Sequence, residues 1–481
     1  MKRLLIAVAA ACALVVATTA GAAGTTIVAK PVNVTNSLYA GNEESLGMDA
    51  SGTLLAGSWN DWHYNDGCGF SYSTDGGTSW APESFVPGLT AYTNDPSIPG
   101  TGTYGIAGDP AVAYNPRSGL FDVICQAFGA KGGAIQLLST TFNAARANPN
   151  ADVNQSYGLN AWRLPATPIA TGTSNGTQKG SNGKFPDHET IAVDTRPSSP
   201  HYGRLYVGWA EFSGFGRSPI DVAYSDDDGA HWNGPIRVSD SGHQFDQDAR
   251  PAVAADGTLY MTWINGPNEN SLKNNVAMID VSHDGGATWG TDHVVAPILD
   301  PIPGSLPNSN YRVFTDVWST VDQATGSVVV AFTDQRSGAA NVYVTHNVQG
   351  NLDAWSSAKA VKPSGQEQFF PWLSSAPNGR VDLVYYDRSC DPAHDTLNCV
   401  TLSSTRDSGA SWSSVSLQPQ GFDGDKYQAC LAFVDPPNCG VYFLGDYIAV
   451  ASTNSKAQAL WTGNGRRAMD VFSGRATFIG G

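Results

Sequence analysis

The chain has 481 residues, a formal net charge of −16 and only 27 lysines and arginines. That balance disfavours binding to a nucleic-acid backbone or an anionic membrane, both of which reward clustered positive charge. Fifty-two glycines, 28 prolines and 13 tryptophans, with few long amphipathic runs, describe an all-β protein of short strands and many turns.

Met1-Lys2-Arg3, an apolar run from Leu4 to Val16 and the small residues Ala20-Gly21-Ala22 read as a secretory leader cleaved near Ala23. A lipoprotein reading centred on Cys12 fits less well, because the apolar run continues past the cysteine. The expectation is a signal peptide over 1–23 and one domain over 24–481, exported to the extracellular or periplasmic space as a monomer. No later stretch has the apolar length for membrane insertion. Six cysteines follow the leader, an even number that favours disulfides in an exported chain. Cys390 with Cys399 and Cys430 with Cys439 are near neighbours, which leaves Cys68 with Cys125. Cys-x-x-Cys spacing is absent, which argues against zinc.

Along the chain, hairpins of two alternating strands recur at 44–59, 109–128, 189–209, 249–263, 316–332, 370–385 and 446–461. Four eight-residue stretches lie between them: Ser73 to Trp80, Ser225 to Trp232, Ser282 to Trp289 and Thr405 to Trp412. Each reads [Ser/Thr]-x-Asp-x-Gly-x-x-Trp, a turn in which Asp bonds backbone N–H groups, Gly takes a positive φ and Trp covers the hairpin. Asp227 and Asp284 are 57 residues apart, one repeat, and Asp284 and Asp407 are 123 apart, about two. The segment 131–186 reads as one degenerate hairpin and a long loop. Repeats of this kind make a single β-propeller of four-stranded antiparallel blades, with seven blades expected and six as the alternative. The last repeat has no clear fourth strand, and 26–34 alternates as a strand able to close the ring.

The four boxes resemble the Asp-box (bacterial neuraminidase repeat) of the sialidase superfamily, whose members are β-propellers. If each blade is A to D from the axis outward, the boxes are C–D turns and lie opposite the channel mouth. The B strands end at the mouth face. Six residues after the Gly of each A–B turn comes an aromatic, Trp209, Trp263, Phe332 or Tyr385, read as blade-to-blade packing. Two further on come Glu211, Asn265, Asp334 and Asp387, with Asp61 in the equivalent place in the first blade. The D-to-A connections add Asp109, His188, Glu189, Asp246, Asp248, Asp316, Asp446 and Tyr447.

Members of this superfamily clamp a substrate carboxylate with three arginines, attack with a Tyr activated by a Glu, and use an Asp as acid. The resemblance therefore implies a clamp of Arg250, Arg312 and Arg336 or Arg388, a nucleophile pair of Glu211 with Tyr311 or Tyr447, and Asp61 or Asp246 as the acid. Asp334 and Asp387 join the substrate-binding set. The family's early Phe/Tyr-Arg-Ile-Pro phrase has no counterpart, since no arginine lies between the leader and Arg117. The implied function is a sialidase-like exo-glycoside hydrolase on glycans or glycoconjugates. A non-catalytic glycan- or protein-binding propeller is the alternative, and a carboxylate-pair hydrolase or a lyase on another polysaccharide is a third. No cofactor is implied beyond structural calcium at Asp226-Asp227-Asp228, which lacks a complete ligand set in the sequence.

Overall fold

A computed structural model describes residues 15–17, 25–62, 67–90, 102–129, 136–151, 156–172, 183–213, 217–243, 245–266, 275–348, 350–429 and 441–480. Cys430, Cys439 and the predicted leader lie outside these residues, apart from Val15–Ala17, which pairs with Thr25–Val28.

Short strands punctuated by glycine turns pair with their sequence neighbours and form seven antiparallel sheets around one axis. The inner strands, in blade order, are Gly41–Met48, Ile106–Asn115, Lys184–Val193, Asp246–Val253, Val317–Val321, Gln368–Ser375 and Ala449–Thr453. Each touches the next, and the seventh touches the first, so the ring is closed. In the seventh blade the outer position is filled by Thr25–Val28, which pairs with Met469–Ile479. This closure covers a sheet edge that would otherwise offer a row of unpaired backbone groups. The segment 131–186 supplies the outer strands Gln136–Phe142 and Thr167–Thr171 of blade 2, with two short 3-10 turns between them.

The core lies mainly between blades. Trp59, Trp209, Trp263, Phe332 and Tyr385 are fully buried. Each packs on the preceding blade: Trp209, for example, meets Ile124 and Leu137 of blade 2. In blade 2 this position is Cys125, and the disulfide to Cys68 of blade 1 replaces the aromatic contact with a covalent one. Cys390–Cys399 staples blade 6 internally.

The four repeated turns share one hydrogen-bond set. In the first, Gly77 N–H donates to Ser73 Oγ (3.0 Å), Ser73 Oγ to Asp75 Oδ1 (2.9 Å) and Ser79 N–H to Asp75 Oδ1 (2.9 Å). Ser225, Ser282 and Thr405 do the same with Asp227, Asp284 and Asp407. The glycine fifth in each turn is left-handed, with φ of 76°, 73°, 88° and 96°. Their tryptophans pack into the interfaces with the preceding blades. The Ser/Thr and Asp side chains of each turn bond its own backbone, a sufficient structural reason for the pattern.

Candidate active site

Five inner strands carry a β-bulge at the same place, where they enter the mouth. Register shifts fall between Asn42 and Ser45, Gly108 and Ala111, Asp187 and Thr190, Gln247 and Arg250, and Phe369 and Trp372. Inside each bulge one residue is left-handed and none is glycine: Glu43, Asp109, His188, Asp248 and Phe370, with φ of 61°, 48°, 56°, 63° and 53°. A bulge bends its strand and re-aims the side chains around it. Here the extra residue gathers carboxyl and imidazole groups around the axis, and the residue two places on, such as Arg250 or Trp372, reaches the cavity below.

That cavity is lined by Glu189, Arg250, Trp318, Trp372 and Tyr447, with the bulge-following residues Ser45, Ala111 and Thr190. Around it the polar groups form one network. His188 Nδ1 meets Asp248 Oδ1 at 2.9 Å, and Arg250 Nη2 lies 3.2 Å from His188 Nε2 and 3.5 Å from Asp248. The Arg250–His188 contact is a hydrogen bond only while Nε2 carries no proton. Arg250 Nε donates to the Val317 carbonyl, and its guanidinium lies 4.2 Å over the Trp318 ring. The His188 ring stacks on Tyr447 at 5.4 Å.

Several buried atoms of this cavity have no hydrogen-bond partner among the described residues: Tyr447 Oη, both carboxyl oxygens of Glu189, and Arg250 Nη1. An unmet polar group inside a protein costs about 1–3 kcal/mol, and a buried water or a ligand in the cavity would supply the partner. Electrostatics separates the titratable groups. Burial, reinforced by the Asp109 carboxylate, holds Glu189 well above the usual range, and burial with Asp109 and Glu43 does the same for the Tyr447 phenol. Burial with Asp248 nearby raises Asp316. Burial would also raise Asp248, but His188 and Arg250 outweigh it and hold that carboxyl low. Asp187, on the mouth, is pushed up to about 6 by burial and Asp109.

Arg312 closes one side of the mouth. It rides on a hairpin of Pro303–Ser305 and Arg312–Phe314 inserted between blades 4 and 5. Arg312 Nε donates to Asp446 Oδ1 at 2.9 Å, its Nη2 to Asp446 Oδ2, and Glu43 Oε1 is 4.0 Å away. Burial lowers and Asp446 raises the guanidinium, with a net upward shift. Glu43 in turn accepts from the Asp446 N–H and from Asn60.

Of the residues implied by the resemblance, Arg250 and Tyr447 line this cavity and Arg312 stands at the mouth beside Asp446, while the others lie elsewhere. Tyr311 and Arg388 are wholly buried, with Arg388 Nη2 donating to Tyr311 Oη at 2.6 Å and both groups bonding Asn398. Arg388 also donates to the carbonyls of Pro307 and Asp395, so it pins the hairpin and is lost to a clamp. Arg336 is held by Asp334 and the Pro297 carbonyl. Asp334 also accepts from Leu299 N–H, and Asp387 accepts from Lys362, Thr401 and Ser389 N–H. Glu211 accepts from Trp209 Nε1 at 3.1 Å, and burial raises its carboxyl. It does not pair with Tyr311. Asp246 accepts from Asn265 and is pushed up to about 6 by burial, while Asp61 is buried at the end of its strand. For Asp61, Glu211, Asp334 and Asp387 the physical reason is radial. Strand B ends on the mouth face but one strand out from the axis, so its polar residues close the B-to-C loops. The inner strands supply the axis.

The nucleophile pairing and three-arginine clamp are thus replaced by a cluster that includes Glu189, His188, Asp248 and Trp372. A sequence signal for them exists: Glu43, Asp248 and Phe370 each stand nine residues before the Gly of their A–B turn. Among the described residues no group of three or more His, Cys, Asp or Glu is arranged to hold a metal ion. In the acidic run, Asp226 pairs with Arg204, Asp227 with His231 and Asp228 with Asn115. No helix of the described residues is long and apolar enough to cross a membrane.

No protein-family model matches the chain, and no curated protein matches it in sequence. Solved structures do resemble it. An ulvan lyase from a new family of polysaccharide lyases is 10% identical, with 93% of each chain covered and a TM-score of 0.49. An α-L-arabinofuranosidase from Fusarium graminearum is 12% identical, with 79% of this chain and 98% of that one covered at 0.47. The intramolecular trans-sialidase from Ruminococcus gnavus is 14% identical, with 72% and 89% covered at 0.40. At these identities the likeness is one of β-propeller fold.

Proposed function

We propose that the protein is an exported exo-glycoside hydrolase that cleaves glycans at the axial mouth, with Tyr447 as nucleophile, Glu189 as its base and Asp187 as the acid. The observation that carries this reading is that Tyr447, Glu189 and Arg250 line one cavity, with Tyr447 Oη, both Glu189 oxygens and Arg250 Nη1 buried and without a hydrogen-bond partner among the described residues. A phenol stays neutral until its proton leaves, so it is cheaper to hold in such a cavity than an ionised carboxylate. Burial holds the Glu189 carboxyl high, so it takes that proton only from its ionised form, whose share grows with pH.

In the first step Tyr447 Oη bonds to the anomeric carbon while Glu189 takes the phenol proton. The glycosidic C–O bond breaks, and the leaving oxygen takes a proton from Asp187. Water, deprotonated by Asp187, then displaces the tyrosine, and Glu189 returns the proton to the phenolate. His188, fixed by Asp248 and stacked on the Tyr447 ring, orients the nucleophile.

The test is release from a panel of fluorogenic α- and β-glycosides, a sialoside included, by the wild-type chain, Tyr447→Phe and Glu189→Gln. The expected result is release from at least one glycoside, reduced by about 10²–10⁴ in each variant. Release that survives Tyr447→Phe would refute the assignment. Glycan binding with no release of any sugar would instead establish a non-catalytic binding propeller.

A further inference from the structure

Blades 1 and 2 are fastened to each other at the mouth by polar contacts around their bulges. Asn60, on strand B of blade 1, reaches both bulges: its Nδ2 donates to Glu43 Oε2, and its Oδ1 accepts from the Asp109 N–H at 2.7 Å. The approach is so close that a Cβ on Gly108 would lie 2.9 Å from Asn60 Oδ1. Just past the bulges, Ser45 Oγ accepts from the Val112 N–H at 2.8 Å. A further contact joins the side chains of Glu43 and Asp109, whose carboxyl groups hydrogen-bond to each other. Two carboxylates are acceptors only, so this contact exists while one proton is held between them, and the pair titrates as a unit.

The charged neighbours of the pair give it little relief. Glu43 Oε1 accepts from the Asp446 N–H at 3.0 Å and lies 4.0 Å from Arg312. Asp109 is within electrostatic reach of Asp187, His188 and Glu189 of blade 3, of Asp446 and Tyr447 at the entry to blade 7, and of Arg312. The cations among them are engaged, Arg312 with Asp446 and His188 with Asp248. Burial, with Asp109 and Asp446 adding to it and Arg312 opposing, holds the Glu43 carboxyl well above its ordinary 4.5. The folded chain thus binds this proton more tightly than the unfolded chain. The contact stabilises fully below about pH 4.5 and is lost as the pH rises through the folded-state value.

Asp109 runs directly into Pro110, Ala111 and Val112, which line the axial cavity together with Ser45. That cavity has about 30 Å³ of room, enough for about one or two waters, so a larger ligand needs its wall to move. We propose that the proton shared by Glu43 and Asp109 is a pH-operated latch on this wall. While it is held, blades 1 and 2 stay closed around the cavity; once it leaves, two carboxylates face each other and the entry of the 106–115 strand parts from blade 1. The test is hydrogen exchange read by mass spectrometry from pH 5 to pH 9, corrected for intrinsic rates, on the wild-type chain, Asp109→Asn and Glu43→Gln. In either variant an amide donates to the remaining carboxylate at every pH. Protection of 106–112 in the wild-type chain should fall about tenfold or more as the pH rises, and both variants should keep it. Glu44 titrates in all three proteins, so its effect cancels in the comparison, and melting confirms that each is folded. A second measurement is carbon-13 NMR of glutamate carboxyls, with Glu43 assigned by its loss in Glu43→Gln. Its resonance should titrate well above pH 4.5, and about one pH unit or more lower in Asp109→Asn. Constant wild-type protection, an equal fall in a folded variant, or a Glu43 resonance that titrates near 4.5 would overturn the latch. Neither measurement uses a glycoside, so the latch and the hydrolase reading stand or fall separately.

Discussion

Glu44 offers a sharp test of how the ring tolerates its buried acids. It sits on the inner strand of blade 1, fully buried, where Oε1 accepts from Thr462 Oγ1 of blade 7 at 2.6 Å and Oε2 has no partner. Burial pushes its carboxyl from an ordinary 4.5 up to about 8. The folded chain thus holds this proton more tightly than the unfolded chain. Its contribution to stability is fully present below about pH 4.5 and is lost as the pH rises toward and through 8. At about 1.4 kcal/mol per pH unit, that gap sets a ceiling of about 5 kcal/mol. Glu44→Gln keeps an acceptor for Thr462 and removes the titration. Urea unfolding of both proteins at pH 5 and pH 9 isolates the effect, because every other raised carboxyl is common to the two. The wild-type chain should lose about 2–5 kcal/mol more than the variant between those pH values. Parallel losses in the two proteins would refute the reasoning.

Two further outcomes concern the joints of the ring. Cys68 and Cys125 are 57 residues apart and bridge two blades, whereas Cys390 and Cys399 are 9 apart within one. Loop-closure entropy gives about 4 kcal/mol for the first and about 2.7 for the second. Replacing both cysteines of each pair by alanine should therefore lower the urea midpoint more for the first, and equal losses would contradict the entropic ranking. Arg380, 1% exposed, pairs with Asp382 and donates to the carbonyls of Thr453, Asn454 and Lys456, which ties blade 6 to blade 7. Arg380→Ala should cost about 3–5 kcal/mol by leaving Asp382 buried without its partner, and hydrogen exchange should quicken first in 449–479.

What the sequence makes legible is what is local or periodic. The repeated turns close on their own side chains, so eight residues suffice to recognise each one. The aromatics six places after the turn glycines recur because every blade must pack on its predecessor, and Cys125 breaks the series only where a disulfide does the same task. Ring closure follows from a missing fourth strand and a spare one expected over 26–34, which pairs as Thr25–Val28 and Val32–Asn33. The site is harder because radius is not written in the chain. Strand A begins and strand B ends on one face, and Glu211 and Glu189 look alike until the ring is assembled. Arg388 and Tyr311 are withdrawn by a hairpin whose docking over blade 6 no local pattern announces.

The bulges carry the remaining information, and they argue for function on energetic grounds. A left-handed backbone costs a residue with a side chain about 1–2 kcal/mol, and glycine escapes most of that cost. Glycine would be the inexpensive choice at all five bulges, and this chain uses it at most of its positive-φ turns, although Asp228 and Ser408 are also left-handed in the repeated turns. At the mouth it instead holds Glu43, Asp109, His188, Asp248 and Phe370 in that conformation. His188 answers with the contact to Asp248 and the stack on Tyr447, and Glu43 with the contacts to Asp446 and Arg312. Strain of this kind persists where the side chain is needed in place. The same bulges deliver Glu189, Arg250 and Trp372, one or two residues further on, into the cavity. The bulged inner strands and the buried polar residues of the cavity thus coincide at the axis, which is why the proposed site is placed there.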